Sequence, residues 1–144
     1  MEIVVKNQYD IEEYAMQKHD KKTVIISIAS KCMPSAMILP CVINGIKDVL
    51  FINFNDTDCN DTVSGCITCE EAIKIKEFVN KYKEDTSIDM IIVQCEAGRS
   101  RSAGVAAAIM KYLWNDDSEV FNNSKYNPNM LCYRTVLDKL MEGN

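Results

Sequence analysis

The run Ile88–Gln94, Ile-Asp-Met-Ile-Ile-Val-Gln, is almost continuously apolar and too short for a core helix. A strand of that kind is covered on both faces, as in the centre of a parallel sheet. Eight residues later begins a helical pattern, Ser102–Trp114, rich in small residues: Ala103, Gly104, Ala106, Ala107 and Ala108. Small side chains let a helix approach a sheet closely, so strand, tight turn and helix together predict an α/β layer architecture. The flanking segments follow the same alternation. Ile3–Lys6 reads as a short strand and Tyr9–Gln17 as a helix entered through Asp10. Thr23–Ala29, rich in β-branched residues, reads as a strand. Ser30–Pro40, punctuated by Pro34 and Pro40, reads as loop, and Val49–Phe54 as a strand ending in the polar cluster Asn55–Thr62. Thr68-Cys69-Glu70-Glu71 has the spacing of a capping box. The helix after it places Ile73, Phe78, Val79 and Tyr82 inward, with Lys74, Lys76, Lys81 and Lys83 largely outward. Asn127-Pro128 supplies a cap and a first-turn proline for a last helix, Pro128–Met141. The expectation is an α/β fold with a central, mostly parallel sheet flanked by helices, as one domain over residues 1–144.

Composition narrows the partners. Lys and Arg number 16 against 21 Asp and Glu, a net charge of -5, which does not suit a general nucleic-acid or anionic-membrane binder. Only three of the basic residues are Arg, and two of them, Arg99 and Arg101, share one loop. Arg grips phosphate or carboxylate with a planar fork that Lys lacks, so chemistry is expected there. The seven cysteines are an odd number, and the N-terminus has no basic region followed by a long apolar core. Reduced thiols and a cytoplasmic location are therefore expected rather than a disulfide framework or a secretory route. No apolar run approaches the ~20 residues that span a bilayer. The single histidine, His19, sits in a polar run and reads as surface. No metal ligand set and no cofactor motif is apparent.

The chemistry-bearing stretch is Ile91-Ile92-Val93-Gln94-Cys95-Glu96-Ala97-Gly98-Arg99-Ser100-Arg101-Ser102, a strand, then Cys-x5-Arg, then a helix start. Backbone N–H groups of Glu96, Ala97, Gly98, Arg99 and Ser100 can turn inward as an anion nest, helped by the helix N-terminus. Gly98 permits the backbone conformation such a turn requires. Cys95 would lie at the base, where those donors favour thiolate. Arg101 would close the ring around phosphoryl oxygens, and Ser102 could donate a hydrogen bond to the Cys95 sulfur.

This stretch resembles the signature loop of the cysteine-based protein tyrosine and dual-specificity phosphatases, most of all their small, compact bacterial or viral members. The likeness spans roughly residues 23–140 and is sharp only at the loop. It implies a phosphatase-like domain that hydrolyses phosphomonoesters, on a protein or a small molecule, by double displacement. Cys95 forms a phosphocysteine that water then hydrolyses, with no cofactor. The family's general acid is an Asp after the preceding strand. Asp56, Asp58 and Asp61 qualify, lying 39, 37 and 34 residues before Cys95, and Phe54-Asn55-Asp56 resembles the family segment best. Asn129, in Asn127-Pro128-Asn129, matches an Asn that buttresses the phosphate loop in dual-specificity relatives. It also reads as a plain helix cap. Gln94 departs from the family, which has His before the Cys; its amide can still donate a hydrogen bond. Residues 30–37 and 55–65 are the expected walls of the pocket.

Two other readings stand beside this one. A phosphatase-like domain can hold phosphoryl groups without turnover, and Cys-x5-Arg loops also serve sulfur transfer and arsenate reduction. Cys66-Ile67-Thr68-Cys69 has a redox or half-zinc spacing, but it follows a polar loop and has no second pair, so it reads as coincidence.

Overall fold

The computed structural model describes residues 1–61 and 63–143; Thr62, the last of the polar cluster, and Asn144 lie outside them. Four strands, β1 (Glu2–Lys6), β2 (Thr23–Ala29), β3 (Ile46–Asn53) and β4 (Met90–Gln94), form one parallel sheet in the order β1-β4-β2-β3. The helices are α1 (Gln8–Ala15), α2 (Cys69–Tyr82), α3 (Arg101–Trp114), the single turn α4 (Ser118–Phe121) and α5 (Met130–Met141). All five residues of β4 are buried, as its composition predicts for an inner strand.

Side-chain alternation divides the core between the two faces of the sheet. Val24, Ile26 and Ile28 of β2 and Ile91 and Val93 of β4 join the larger cluster under α2, α3 and α5. Ile25 and Ile92, one residue out of phase, join Ile11 of α1, Ala36 and Ile38 on the other face. The small residues of α3 have a specific use. A Cβ on Gly104 would lie 2.5 Å from the Asn129 carbonyl oxygen, so glycine is what lets the start of α5 dock against α3.

Several boundaries differ from expectation for physical reasons. β3 begins at Ile46 rather than Val49, because Ile46 and Asp48 pair with Thr23 and Val24. The first helix starts at Gln8, with Asn7 rather than Asp10 as its cap; Asn7 Oδ1 accepts from the Asp10 N–H at 2.7 Å. Asn129 rather than Asn127 caps the last helix, which begins beyond Pro128. Thr68 precedes α2 as expected, but its hydroxyl bonds directly to the Glu71 carboxylate, so no side-chain cap forms. Ile75 is buried in α2, whereas Ile73 is largely exposed. His19 is half-buried, stacked on the Tyr14 ring at 3.6 Å with its Nε2 2.8 Å from the Tyr14 carbonyl. Among the described residues no helix is long and apolar enough to cross a membrane.

Candidate active site

The strands of a parallel sheet all end on one edge, and loops beyond that edge are where such folds bind ligands. β4 delivers Cys95 there, 2% exposed and in the larger core cluster with Val93. The loop 96–100 owes its shape to bonds on its outer side. The carbonyl of Glu96 accepts from the Gln8 N–H at 3.0 Å and that of Arg99 from the Asn127 N–H at 2.9 Å. The Ser100 carbonyl accepts from Asn129 at 3.0 Å and Gly104 at 2.9 Å. With these carbonyls held outward, no N–H from Glu96 to Ser100 has an acceptor among the described residues. A run of free N–H groups beside a helix start is an anion nest.

Gly98 makes the turn at φ +65°, and a Cβ there would lie 2.7 Å from the Asn7 backbone nitrogen. Gly98→Ala therefore meets both a left-handed conformation, costing about 1–2 kcal/mol for an L-residue, and a backbone clash. The expected outcome is a melting temperature lower by roughly 3–8 °C with weakened oxyanion binding, read by thermal denaturation with and without inorganic phosphate. An unchanged melting temperature and unchanged phosphate response would refute this account of the loop.

Arg101 opens α3 and is 5% exposed. Its Nη1 donates to the Phe54 carbonyl at 2.9 Å and to Ser30 Oγ at 3.0 Å. Nε is buried and has no hydrogen-bond partner among the described residues, so it remains an open donor. Ser102 Oγ lies 3.0 Å from Cys95 Sγ.

The three candidate acids separate by geometry. Asp56 reaches the loop: its Oδ1 accepts from Ser100 Oγ at 2.8 Å and from Asn129 Nδ2 at 2.9 Å. Asp58 is exposed and has no side-chain partner among the described residues. Asp61 is a turn anchor. Ser64, followed by the Val63 N–H, hydrogen-bonds its carboxylate and holds it below the usual carboxylate range. Asp56 and Asp58 also line a polar cleft of about 460 Å³ with Ser100, Asn127 and Asn129. A wider cleft, about 690 Å³ around Glu2, Lys21 and Asp85, lies at the opposite ends of the strands, and no cysteine is among the described residues that line it.

No family model matches the chain, and no curated protein matches its sequence. Solved structures do. The chain is similar to the human tyrosine phosphatase-like serine/threonine/tyrosine-interacting protein, at 19% identity over 81% of this chain and 75% of that one, with a TM-score of 0.55. PTPMT1 in complex with PI(5)P gives 16% identity over 98% and 91%, TM-score 0.59, and Tk-PTP in its active form 14% over 100% and 94%, TM-score 0.57. The chain has the protein tyrosine phosphatase fold.

Within that fold, Arg99 is exposed. It donates from Nε to the Lys125 carbonyl at 3.2 Å, which ties the loop to the 122–127 segment. Glu96 and Ala97 are exposed. Gln94 makes no hydrogen bond to Cys95. It shares strand phase with Ile92 on the α1 face, and its Oε1 accepts from the Ser27 hydroxyl across the β2–β4 pair. Of the other thiols, Cys69 is exposed at the start of α2, and Cys66 is buried, donating to the Asp61 carbonyl at 3.5 Å. Cys132 is fully buried; burial pushes its thiol up, Asp56 adds to that shift, Arg101 opposes it and Cys95 adds again.

Ser30 and the Phe54 carbonyl, which hold Arg101, escape a reading of the sequence by motifs. Both stand just beyond the ends of β2 and β3, on the edge of the sheet where β4 also ends, and that position is the available signal.

Proposed function

We propose that the protein is a cysteine-dependent phosphatase that hydrolyses phosphomonoesters through a phosphocysteine. The observation that carries the reading is Asp56 docked by its carboxylate on the Cys95–Arg101 loop. A carboxylic acid at that edge serves phosphoryl transfer, whereas sulfur transfer from Cys95 needs none.

In this reading the phosphoryl oxygens accept from the free N–H groups of residues 96–100 and from Arg101 Nε. Cys95 Sγ attacks phosphorus, the bond to the leaving oxygen breaks, and Asp56 protonates that oxygen. Asp56 then takes a proton from water as water attacks phosphorus and the P–S bond breaks, with Ser102 Oγ donating to the departing sulfur. Placing the reactants within one rigid loop removes most of the entropic barrier, and fixed donors around the developing charge lower the rest.

The substrate is a phosphorylated protein or a small phosphomonoester. PTPMT1 holds PI(5)P in its complex, so a substrate panel includes that lipid headgroup beside phosphotyrosine and phosphothreonine peptides and an aryl phosphate. Asp56→Asn is expected to lower kcat about 10²–10⁴-fold for alkyl leaving groups and much less for a nitrophenyl leaving group, which departs unprotonated. Steady-state assays on both substrate types decide it. Equal effects on both would remove Asp56 from the acid role, and phosphate binding without turnover would make this a binding module.

A further inference from the structure

The way Asp56 is held adds a specific element to the proposed reaction, and rests on that proposal. Asp56 stands on an exposed loop after β3, where a carboxylate ordinarily samples several rotamers. Here one oxygen, Oδ1, accepts two hydrogen bonds from two separate elements, Ser100 at the start of α3 and Asn129 at the start of α5.

Both donors are committed to this contact in ways their positions do not require. Ser100 is the N-cap residue of α3, a place where a serine hydroxyl usually accepts from an N–H of the first turn. Ser100 makes no such cap bond, and its hydroxyl donates to Asp56 instead. Asn129, 7% exposed, uses its amide completely: Oδ1 caps α5 by accepting from the Cys132 N–H at 3.0 Å. Its Nδ2 donates to Asp56 Oδ1 and, at 3.1 Å, to the Thr57 carbonyl. Asn129 also holds the Ser100 carbonyl through its own N–H, so the acid loop, the phosphate loop and α5 form one closed set of bonds.

We propose that Ser100 and Asn129 are positioning residues that fix Asp56 by Oδ1, leaving Oδ2 as the oxygen that exchanges the proton. In the first displacement the Oδ2 proton passes to the leaving oxygen as its bond to phosphorus breaks. In the second, Oδ2 takes a proton from the attacking water as the P–S bond breaks. The arrangement sets the acid on the loop before substrate arrives, so no loop closure is needed to bring it there. Asp58, two residues on, has no comparable anchor among the described residues.

The test is a comparison of Ser100→Ala, Ser100→Thr and Asn129→Asp with the unaltered protein. Asn129→Asp keeps an oxygen to cap α5 but removes the donor to Asp56. Misplacing a catalytic group by about 1 Å costs on the order of 10²-fold, so Ser100→Ala and Asn129→Asp are expected to lose about 10–100-fold in kcat on an alkyl phosphate. The loss on nitrophenyl phosphate should be several-fold smaller, with KM and inhibition by inorganic phosphate unchanged, and Ser100→Thr should restore kcat. Full activity of Ser100→Ala and Asn129→Asp on the alkyl substrate overturns the proposal while leaving the phosphatase reading intact. So does an equal loss on both substrates accompanied by weaker phosphate inhibition, which marks a distorted phosphate loop. Absence of turnover by the unaltered protein overturns the phosphatase reading and this proposal together.

Discussion

Replacing Cys95 with serine is expected to abolish turnover, by roughly four orders of magnitude or more, while inorganic phosphate still binds. The two expectations come from different parts of the site. Turnover needs a strong nucleophile, and a serine hydroxyl without an adjacent base is a far weaker one than a cysteine sulfur. No histidine stands by residue 95 to act as that base, since His19 is stacked on Tyr14. Anion binding, by contrast, is expected to rest on the N–H groups of residues 96–100 and on Arg101, which have free donors and which the substitution does not touch. Serine is also close to isosteric, so the contact with Ser102 Oγ, 3.0 Å from the sulfur, has a geometric counterpart. Steady-state kinetics on an aryl phosphate, paired with calorimetric titration of inorganic phosphate, measures both. A serine variant that turned over at the native rate would exclude Cys95 as nucleophile. One that lost phosphate binding as well would show that the thiol helps shape the loop.

What could be read from the chain was local in it. β4 and α3 announce themselves because burial on both faces forces a continuous apolar run, and close packing forces small residues. The candidate loop is equally local, since it is made of consecutive residues from Cys95 to Ser102. β3 was harder to delimit because it is an edge strand, so Asp48 can be polar and still pair, while Lys47 falls at a register irregularity. The choice of Ile75 over Ile73 in α2 depends on where α5 lies, which no window on α2 contains. Caps shifted for a related reason: Asn7 and Asp10, or Asn127 and Asn129, are competing cap residues within a few positions, and tertiary contacts decide between them. The contacts that organise the site across the fold were hidden altogether. Ser100 meets Asp56 across 44 residues, and Arg101 meets Phe54 and Ser30 across 47 and 71. Those separations carry no periodic trace. Only the shared edge of the sheet, where all of these residues emerge, foreshadows their meeting.

Arg101→Lys is the second large effect, expected to lower kcat/KM by roughly 10²–10³-fold despite conserving charge. The guanidinium works in two directions at once. Nη1 is anchored to the Phe54 carbonyl at 2.9 Å and the Ser30 hydroxyl at 3.0 Å, which fixes the plane of the group, and Nε is left as a buried donor without a partner among the described residues. A lysine ammonium carries its donors on a single atom. It can satisfy the Phe54 carbonyl or reach a phosphoryl oxygen, but it cannot reproduce the rigid spacing between anchor and ligand. Placed at the anchor, it leaves the oxyanion short of a donor as charge redistributes; placed on the oxyanion, it leaves a buried carbonyl unpaired, at a cost of about 1–3 kcal/mol. Because the interaction is with the phosphoryl group in ground and transition states alike, both KM and kcat should worsen. That pattern separates Arg101 from Asp56, whose replacement by Asn acts mainly on kcat and only where the leaving group needs a proton. The measurement is full Michaelis–Menten analysis of Arg101→Lys on nitrophenyl phosphate, together with its inhibition by inorganic phosphate. Retention of native kcat/KM would mean that charge alone suffices at this position, and the fork geometry anchored by Ser30 and Phe54 would lose its functional meaning.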